Sequence, residues 1–364
     1  MLKVGIITTH DVYNFGSSLQ AYATQRFLEM SGLDAEVIDY VPSNLYKLID
    51  FFEVDAPRWK TKWWRRNIYR LLLAPYRVSL LPKYLKYKHF NKKYLKLSRK
   101  STTLQELKKL APYDVYVCGS DQIWNPIQTP CGLDPAYYLA FAPSDKKRIS
   151  YAASFGGSKV NESGMENIKK YVPQMYSVSV REQSGVGILK DLGIESQLVL
   201  DPVFLLDKSE WNKVKNPRYA MPNKYVLVYG YDNKYDLREI VDRCGYDDAT
   251  IVDLSHKKYK NLGPREFVSL VEGAEFIVTS SFHCIAFSII LHKNFIAVKT
   301  GNEDLFERLS NILLLAGQEK RVYSPNSDVQ TLGKIDYQEV DKKLRIYIEQ
   351  SRKYLLQSIL GEKK

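Results

Sequence analysis

Short apolar runs alternate along most of the chain with amphipathic stretches of helical period. The apolar runs are rich in β-branched residues and predict strands, at residues 4–8, 35–40, 115–118, 149–153, 177–180, 197–200, 225–229, 250–253, 276–279 and 295–298. The amphipathic stretches predict helices, at residues 17–31, 162–171, 236–244, 264–272, 284–292, 305–316 and 337–360. Regular alternation of strands and helices is typical of an α/β protein with parallel sheets.

This alternation occurs as two successive series, and 364 residues suffice for two domains with separate cores. The predicted fold class is α/β, with two Rossmann-like domains facing a cleft. The N-terminal domain would comprise residues 1–180, with a basic helical insertion at about 45–100, and the C-terminal domain residues 181–335. The last helix, within residues 336–364, would cross back to the N-terminal domain.

Composition and motifs argue against several classes of protein. No apolar run reaches the roughly 18 residues of a membrane span, and residues 1–8 are typical of a strand rather than a signal peptide. The four cysteines form no Cys-x-x-Cys pair, so we predict a reducing cytoplasm and no thiolate zinc site. We predict no metal, because His10, His256 and His292 lack metal-ligand spacing. Nucleotide-binding, hydrolase and metalloprotease motifs are missing.

The positive charge is concentrated in one segment. Residues 58–100 contain 15 Lys and Arg and no Asp or Glu, so subtracting them from the net charge of +12 leaves −3 for the rest. The same segment holds nine aromatic residues, which are Trp59, Trp63, Trp64, Tyr69, Tyr76, Tyr84, Tyr87, Phe90 and Tyr94. This combination suits an anionic membrane surface, and it also occurs in nucleic-acid binding, the less favoured alternative. The remaining interpretation is a solvated helical face with its aromatic rings packed underneath.

The predicted strand at 276–279 ends directly before Ser280, Ser281, Phe282 and His283, where an apolar helix begins. Parallel sheets bind ligands at the carboxyl ends of their strands, and helix N-termini favour anions. His283 is therefore a candidate acid or base beside an anionic substrate.

Six segments, taken in order, resemble the polysaccharide pyruvyl transferase family. They read KVGIITTHDVYNFGSSLQAYATQRFLE, YDVYVCGSDQIWNP, SYAASFG, VSVREQSG, LVLDPVFLL and VTSSFHCIAFSI. The resemblance covers about residues 2–322 without the basic insertion. It implies a two-domain fold similar to GT-B glycosyltransferases, with the donor bound by the C-terminal half and a glycan acceptor by the N-terminal half. The implied reaction transfers a pyruvyl unit from phosphoenolpyruvate onto two sugar hydroxyls of a cell-surface polysaccharide precursor, as a ketal, with release of phosphate and no cofactor.

The resemblance also assigns residues to the donor. His283 matches the family's catalytic histidine, and Arg181 matches an arginine that would grip the donor's phosphate or carboxylate. The alternatives are a histidine that caps the helix or is satisfied within the turn, and an arginine that forms an interdomain ion pair. Many members carry Arg two residues before this histidine, where this chain has Ser281. The residue after the histidine is usually Gly in the family and is Cys284 here. Either part of the anion-binding charge comes from elsewhere in the chain, or the donor differs. The predicted donor-binding residues are Arg181, Ser280, Ser281, Lys299, Arg308 and Arg321.

Two loops of the N-terminal half are predicted to face the cleft and bind the acceptor. Asp121 would orient or deprotonate a sugar hydroxyl, and Trp124 would stack on a pyranose ring; the alternatives are loop-internal hydrogen bonding and a Trp that fills the core. The predicted acceptor-binding residues are Asn14, Gly16, Ser17, Ser120, Gln122, Trp124 and Asn125. Asp201, before Pro202, is interpreted as a turn residue.

Two other functions remain open at this point. One is a glycosyltransferase of the same fold that uses a sugar nucleotide, because fold alone does not distinguish the donors. The other is a non-catalytic member that binds a glycan. The membrane interpretation predicts a peripheral protein at the inner face of the cell membrane, where a polyprenyl-phosphate-linked acceptor would lie.

Overall fold

The computed structural model describes residues 1–42, 57–219, 221–232, 235–299, 301, 303–326 and 329–361, so residues 45–56 of the predicted insertion lie outside it. The strands are β1 Lys3–Ile7, β2 Asp34–Val37, β3 Val115–Cys118, β4 Lys147–Ser150, β5 Ser179–Val180, β6 Gln197–Leu198, β7 Tyr225–Tyr229, β8 Thr250–Asp253, β9 Phe276–Thr279, β10 Asn294–Val298 and β11 Val322–Tyr323. The helices are α1 Phe15–Met30, α2 Pro57–Lys60, α3 Trp63–Ser79, α4 Leu81–Tyr94, α5 Leu104–Leu107, α6 Glu162–Tyr171, α7 Gln183–Asp191, α8 Lys208–Val214, α9 Leu237–Arg243, α10 Pro264–Gly273, α11 Phe282–Ile290, α12 Glu303–Ala316 and α13 Tyr337–Leu360.

The first sheet is parallel, in the order β2-β1-β3-β4. Isolated bridges from Ile149 to Ser177 and from Ala153 to Val180 extend it towards the parallel pair β5 and β6. All four residues of β3 are buried, because helices and loops cover both faces of a parallel sheet. Its carboxyl edge therefore carries the loops that follow β1 and β3.

The second sheet is also parallel, in the order β11-β10-β9-β7-β8. Its central strand β9 is completely buried and consists of Phe-Ile-Val-Thr. The predicted fold class, α/β with two Rossmann-like parallel sheets, is confirmed. The edge strand β11 was not predicted, because two residues are too few to form a pattern.

Helix α1 lies between the two sheets and packs on the second domain along its length. Phe15 stacks on Phe267 of α10 with ring centroids 4.8 Å apart, and Tyr22 meets Trp211 of α8 at 5.7 Å. One turn further on, Arg26 Nε donates to Glu210 at 3.1 Å. The buried aromatic contacts bring the N-terminus of α1 to the carboxyl edges of both sheets.

The final helix α13 contacts the N-terminal sheet. The Tyr354 hydroxyl donates to the Ser150 carbonyl at 3.2 Å, and Lys147 Nζ donates to the Ile359 carbonyl at 3.0 Å. Ser351 Oγ accepts the backbone N–H of Leu200 at 2.9 Å. These bonds place α13 beside β4 and β6. The domain limits near residues 180 and 335 stay predictions.

The basic segment forms α2, α3 and α4, which differ in burial. Tyr87 and Phe90 of α4 are buried in the main core, whereas most side chains of α3 are exposed. None of the helices in the described ranges is both long and apolar enough to cross a bilayer.

Candidate active site

Charged side chains from four strand ends converge where the two sheets meet. Asp121 follows β3, Arg181 follows β5, Asp201 follows β6, and His283 is the second residue of α11, after β9. The carboxyl ends of parallel strands are the usual location of ligand sites in α/β folds. The fold therefore assembles one buried polar cluster from both halves of the chain.

Arg181 is the centre of this cluster. Its Nη1 donates to Asp201 Oδ2 at 2.6 Å, and its Nη2 and Nε lie 3.8 Å from Asp121 Oδ1 and 3.7 Å from Glu182 Oε2. Its guanidinium also lies 5.3 Å from the Phe282 ring centroid. Burial alone would lower the pKa of Arg181, but the three carboxylates raise it above its usual range. Arg181 is thus a fixed cation that holds three acids together.

His283 is held tightly on two sides. Its Nε2 lies 3.7 Å from Asp201 Oδ2. Its ring covers Gly16 at the start of α1, and a Cβ at Gly16 would stand 2.0 Å from His283 Nδ1. The imidazole fits there because Gly16 has no side chain. No residue in the described part of the chain forms a hydrogen bond with the buried Nε2, which leaves this nitrogen able to bind a polar partner.

Asp121 is fixed by hydroxyl groups. Thr9 Oγ1 donates to its Oδ2 at 2.8 Å, and Ser17 Oγ donates to the same oxygen. Burial would raise the pKa of Asp121, but Arg181, His283 and these two hydroxyls lower it below the ordinary aspartate value. Asp121 is therefore ionised at neutral pH and is a weak base.

Arg308 enters from α12 and is also buried. In the amide orientation that satisfies both groups, the Gln122 oxygen accepts from Arg308 Nη1 and Nη2 at 3.2 Å. Burial and repulsion from Arg181 lower the pKa of Arg308 to about 10. Attraction to Glu182 and two aspartates raises this pKa but is outweighed. The two guanidinium groups are close enough to repel, and an anion between them would relieve that repulsion.

Several buried polar atoms in the cluster lack a hydrogen-bond partner. They are Arg181 Nε and Nη2, Glu182 Oε2, His283 Nε2 and Arg308 Nε. Buried polar atoms are usually paired, and exceptions concentrate where a ligand or catalytic step needs them. The Arg181 donors face the carboxylates of Glu182 and Asp121 at 3.7 and 3.8 Å, so Arg308 Nε is the donor best placed for an anionic ligand.

A cavity of about 240 Å³ adjoins the cluster. Its lining includes Arg181, Asp201 and Phe282, together with residues of α12, among them Arg308, and of α13. A larger cavity of about 760 Å³ lies between β4 and α13 and contains none of these residues. We assign function to the smaller cavity, because Arg181, Asp201 and Arg308 of the cluster line it and His283 directly follows the lining residue Phe282.

Two predicted donor residues have structural roles. Ser281 is the N-cap of α11, where its Oγ accepts the N–H of Cys284 at 3.5 Å. The Ser280 hydroxyl donates to the Gly230 carbonyl. Neither hydroxyl is directed at the arginines by these contacts, and the donor-binding roles of Ser280 and Ser281 stay predictions.

Lys299 and Arg321 are not part of the cluster. Arg321 donates to the carbonyls of Phe295 at 3.3 Å and Gly333 at 2.8 Å, and it lines a separate cavity. Its predicted donor-binding role is wrong, because its guanidinium closes a turn within the second domain. Lys299 Nζ lies 5.1 Å from the Phe306 ring, at the same sheet edge as His283, and its role stays a prediction.

The predicted acceptor residues at the start of α1 build the site. Asn14 Oδ1 caps the helix by accepting the N–H groups of Gly16 at 2.9 Å and Ser17 at 3.3 Å. Ser120 is buried, and its Oγ donates to Asp201 Oδ2 at 3.1 Å, which links the two halves. These residues position Asp121, Asp201 and His283.

The predicted stacking of Trp124 on a sugar is wrong. Trp124 is fully buried, stacks on Tyr138 with an interplanar angle of 2°, and donates its Nε1 hydrogen to the Tyr137 carbonyl. Asn125 is buried as well, and its Oδ1 accepts the N–H groups of Ile127 and Gln128 at 3.0 Å. Both side chains shape the loop from within.

Two central residues were missed in the sequence. Asp201 also accepts the Val203 N–H at 3.1 Å, so the predicted turn role is present, but its second oxygen serves Arg181. Glu182 accepts the N–H groups of Phe155 at 2.6 Å and Gly156 at 3.3 Å. Both follow short strands directly, and acids at the carboxyl ends of strands were the available signal.

Solved structures that resemble the chain share little sequence with it. The UDP-GlcNAc 2-epimerase from Neisseria meningitidis bound to UDP-GlcNAc is 11% identical over 100% of both chains, with a TM-score of 0.49. The S. aureus MnaA–UDP structure is 13% identical over 100% of this chain and 99% of that chain, with a TM-score of 0.48. E. coli heptosyltransferase WaaC with ADP-2-deoxy-2-fluoro heptose is 12% identical over 83% and 90%, with a TM-score of 0.37. No curated protein matches the chain.

The two parallel sheets, with a buried cluster of acids, arginines and a histidine between them, define an α/β protein of the two-domain Rossmann-like class. The family model of polysaccharide pyruvyl transferase matches residues 14–302. The chain belongs to this family, which makes it a transferase of polysaccharide biosynthesis.

Proposed function

We propose that the chain transfers a pyruvyl group from phosphoenolpyruvate to two hydroxyls of a sugar in a cell-surface polysaccharide precursor. The products are a cyclic pyruvate ketal and inorganic phosphate, and no cofactor takes part. The observation that carries the proposal is His283, which is 13% exposed and whose buried Nε2 makes no hydrogen bond to a described residue, beside two arginines that also have donors without a hydrogen bond. Phosphoenolpyruvate offers the phosphate and carboxylate that such donors bind.

The chemistry assigns a step to each group. A sugar hydroxyl adds to the central carbon of the enol and gives up its proton, while the methylene carbon takes a proton and becomes a methyl group. The second hydroxyl then displaces phosphate at the same carbon and loses its own proton. His283 would supply and accept these protons, because an imidazole ring carries nitrogens that can donate and accept a proton.

Asp121 would orient the attacking hydroxyl. Its lowered pKa makes it a poor base but a permanent hydrogen-bond acceptor. Thr9 and Ser17 fix the carboxylate by bonding one oxygen. The acceptor would therefore lie against the loops that follow β1 and β3.

Arg308 would bind the donor more directly than Arg181. Arg181 is already engaged by three carboxylates, whereas Arg308 contacts the neutral Gln122. Truncating Arg308 would remove one of two neighbouring cations and leave the Arg181–Asp201 pair in place. This distinguishes a donor-binding cation from a structural one.

The first experiment measures phosphate release and the mass gain of candidate glycans in the presence of phosphoenolpyruvate. His283→Ala is expected to lower turnover by about 10²–10⁴, and the exposed His256→Ala serves as a matched control. Normal turnover of His283→Ala would refute the assignment. Activity with a sugar nucleotide in place of phosphoenolpyruvate would show a glycosyltransferase, and binding of glycan without turnover of either donor would show a binding protein.

The second experiment titrates phosphoenolpyruvate into the protein by calorimetry. Arg308→Ala is expected to weaken binding by about 1.5–3 kcal/mol, the usual range for hydrogen bonds to a charged group. Arg243→Ala, on α9 of the same domain, controls for the loss of one positive charge. Equal affinity of wild type and Arg308→Ala would remove this residue from the donor site.

We also propose that the protein works in the cytoplasm, with residues 58–100 at an anionic membrane surface. The acceptor sugar would there be carried on a polyprenyl phosphate. The uncompensated charge of this segment supports the proposal.

A further inference from the structure

Helix α3 exposes a continuous apolar face. Its exposed apolar side chains are Trp63, Trp64, Ile68, Leu71, Leu72, Tyr76 and Val78. The spacing of 64, 68, 71, 72 and 76 places these side chains on one side of a helix. Leu71 is 73% exposed and Leu72 is 66% exposed. A run of large apolar groups on one exposed face is typical of an interaction surface rather than of scattered surface residues.

The opposite side of α3 packs on the protein. Arg77 is buried, Leu73 and Ala74 are half-buried, and α3 contacts α4. Helix α4 is anchored in the core by Tyr87 and Phe90. The helix is therefore supported from one side, and its apolar face is directed outward.

The surrounding charge defines the partner. Lys60, Lys62 and Arg66 are exposed around the start of α3, and Arg65 lies 5.3 Å from the Trp64 ring. With no acid in residues 58–100, a second copy of the chain would bring two strongly positive surfaces together. Trp and Tyr beside an apolar strip flanked by cations instead match the interface of an anionic bilayer.

We propose that α3 is an in-plane membrane anchor. Its apolar face lies at the boundary of headgroups and acyl chains, with Leu71 and Leu72 inserted and the Lys and Arg side chains bound to lipid phosphates. The surrounding cations make binding selective for anionic lipid, and the apolar face allows the helix to insert below the headgroups. Lipid binding requires neither donor nor acceptor, so this proposal and pyruvyl transfer can fail separately.

The anchor is connected to the acceptor side of the active site. Lys88 Nζ of α4 binds Asp11 Oδ2 at 2.7 Å, and Tyr13 meets Tyr87 with ring centroids 5.3 Å apart. Asp11 and Tyr13 belong to the loop that leads into Gly16. Binding of α3 to a bilayer would therefore place the acceptor loop close to membrane-linked glycans.

The test is co-sedimentation with phosphatidylcholine vesicles, with and without phosphatidylglycerol, at low and high salt. Wild type is expected to bind the anionic vesicles at low salt and to lose binding at high salt. Both Leu71→Ser/Leu72→Ser and the variant with Lys60, Lys62, Arg65 and Arg66 changed to Gln should bind at least about tenfold more weakly.

Matched controls lie elsewhere on the surface. Leu314→Ser/Ile346→Ser removes two exposed apolar groups, and changing Lys108, Lys109, Lys159 and Lys190 to Gln removes four exposed charges. Both controls should bind like wild type. Quenching of tryptophan fluorescence by brominated lipid should report insertion, because Trp124 and Trp211 are fully buried and only the α2–α3 tryptophans are accessible.

Three results would overturn the proposal. They are equal binding to neutral and anionic vesicles, absence of binding at low salt, and unchanged binding of Leu71→Ser/Leu72→Ser. A dimer of wild type in light scattering that this double variant abolishes, without vesicle binding, would identify α3 as an interface between copies instead.

Discussion

At the scale of single residues, the active-site geometry depends on one missing side chain. Gly16 follows the N-cap Asn14, and the His283 ring lies directly on its Cα. Two backbone segments from different domains touch here, and only glycine leaves room for the imidazole. The position of His283 is therefore set by the N-terminus of α1 as much as by α11.

Gly16→Ala is expected to reduce turnover by about 10²-fold, because a shift of about 1 Å in a catalytic group can cost that much. The new Cβ would stand 2.0 Å from His283 Nδ1, so the ring must move. The assay is phosphate release with the fold checked by circular dichroism. Gly187→Ala in α7 is the control, since a Cβ there meets open space, and equal losses in both variants would contradict this account.

Asp201 is the residue whose truncation should cost most stability. It is fully buried, and removing it leaves Arg181 without its shortest ion pair. Breaking a buried pair on one side costs about 3–5 kcal/mol, to be measured as the free energy of unfolding in urea. Asp207→Ala, six residues later, removes the N-cap of α8 and a hydrogen bond from the exposed Ser209 hydroxyl and should cost about 1 kcal/mol. Similar losses for both would show that the Asp201 pair contributes little.

At the scale of elements, the sequence predicted the strands and helices of the second domain well, because their apolar runs and caps are strong local signals. The predicted strands 225–229, 250–253 and 276–279 have the observed bounds. Helices α7 and α8 were not predicted, since each is short and its burial depends on contacts with other elements. Tertiary contacts, which no local pattern records, decide such segments.

The same limit applies to the site. His283 could be predicted from its place after a strand, but the burial of Trp124 and the pairing of Asp201 with Arg181 could not. Trp124 is in a loop, where an aromatic residue suggests a ligand contact, yet Tyr138 covers it. Arg321 likewise has the positive charge that a donor site needs, but its guanidinium is bonded to the Gly333 carbonyl instead of facing the cluster. Orientation of a side chain depends on the packed fold rather than on sequence spacing.

Helix α13 is expected to stabilise the N-terminal sheet through Ser351. Its Oγ accepts the buried Leu200 N–H at 2.9 Å, so Ser351→Ala leaves that donor unpaired. The expected loss is about 1–3 kcal/mol in the free energy of unfolding. Ser209→Ala, at an exposed position of α8, is the comparison and should change stability by less than about 0.5 kcal/mol. A loss for Ser351→Ala no larger than that would mean that α13 contributes little through this bond.

At the scale of the whole molecule, the two domains share one set of charges. The first half supplies Asp121 and Ser17, the second supplies His283 and Arg308, and the short strands between them supply Arg181. The interface between domains is therefore polar at the site and aromatic along α1. Loss of charge in the cluster should affect the stability of both domains together.

Stability should fall steeply in acid because the pKa values of Asp121 and Asp201 lie below their ordinary value of 3.8. For Asp201, burial acts in the opposite direction but is outweighed by His283 and Arg181. A carboxyl with a lowered pKa stabilises the fold above the unfolded-state pKa. This stability is lost as the pH falls from about 4 towards the folded-state value, because the unfolded chain then binds the proton first.

Glu182 changes the free energy of unfolding in the opposite direction as the pH falls. Burial, despite Arg181 and Arg308, raises its pKa, so it takes up a proton in the folded state before the unfolded state does. Its contribution therefore favours the folded state slightly as the pH falls towards the ordinary glutamate value of 4.5. The destabilisation in acid should consequently begin below about pH 4, which is below the range in which Glu182 takes up its proton.

The contribution of Asp201 can be separated from that of the other acids by how steeply the free energy of unfolding changes with pH, rather than by its value at a single pH. The free energy of unfolding is measured in urea between about pH 5 and 3 for wild type and Asp201→Asn. Each group that binds a proton only in the unfolded state contributes up to about 1.4 kcal/mol per pH unit, so the variant should lose stability less steeply in acid, although it starts lower. Asp248→Asn, whose side chain is 73% exposed, should keep the wild-type slope. Parallel curves for wild type and Asp201→Asn would show that the Asp201 carboxylate is not held ionised by Arg181 and His283, and the charge arrangement assigned to the active site would then be wrong.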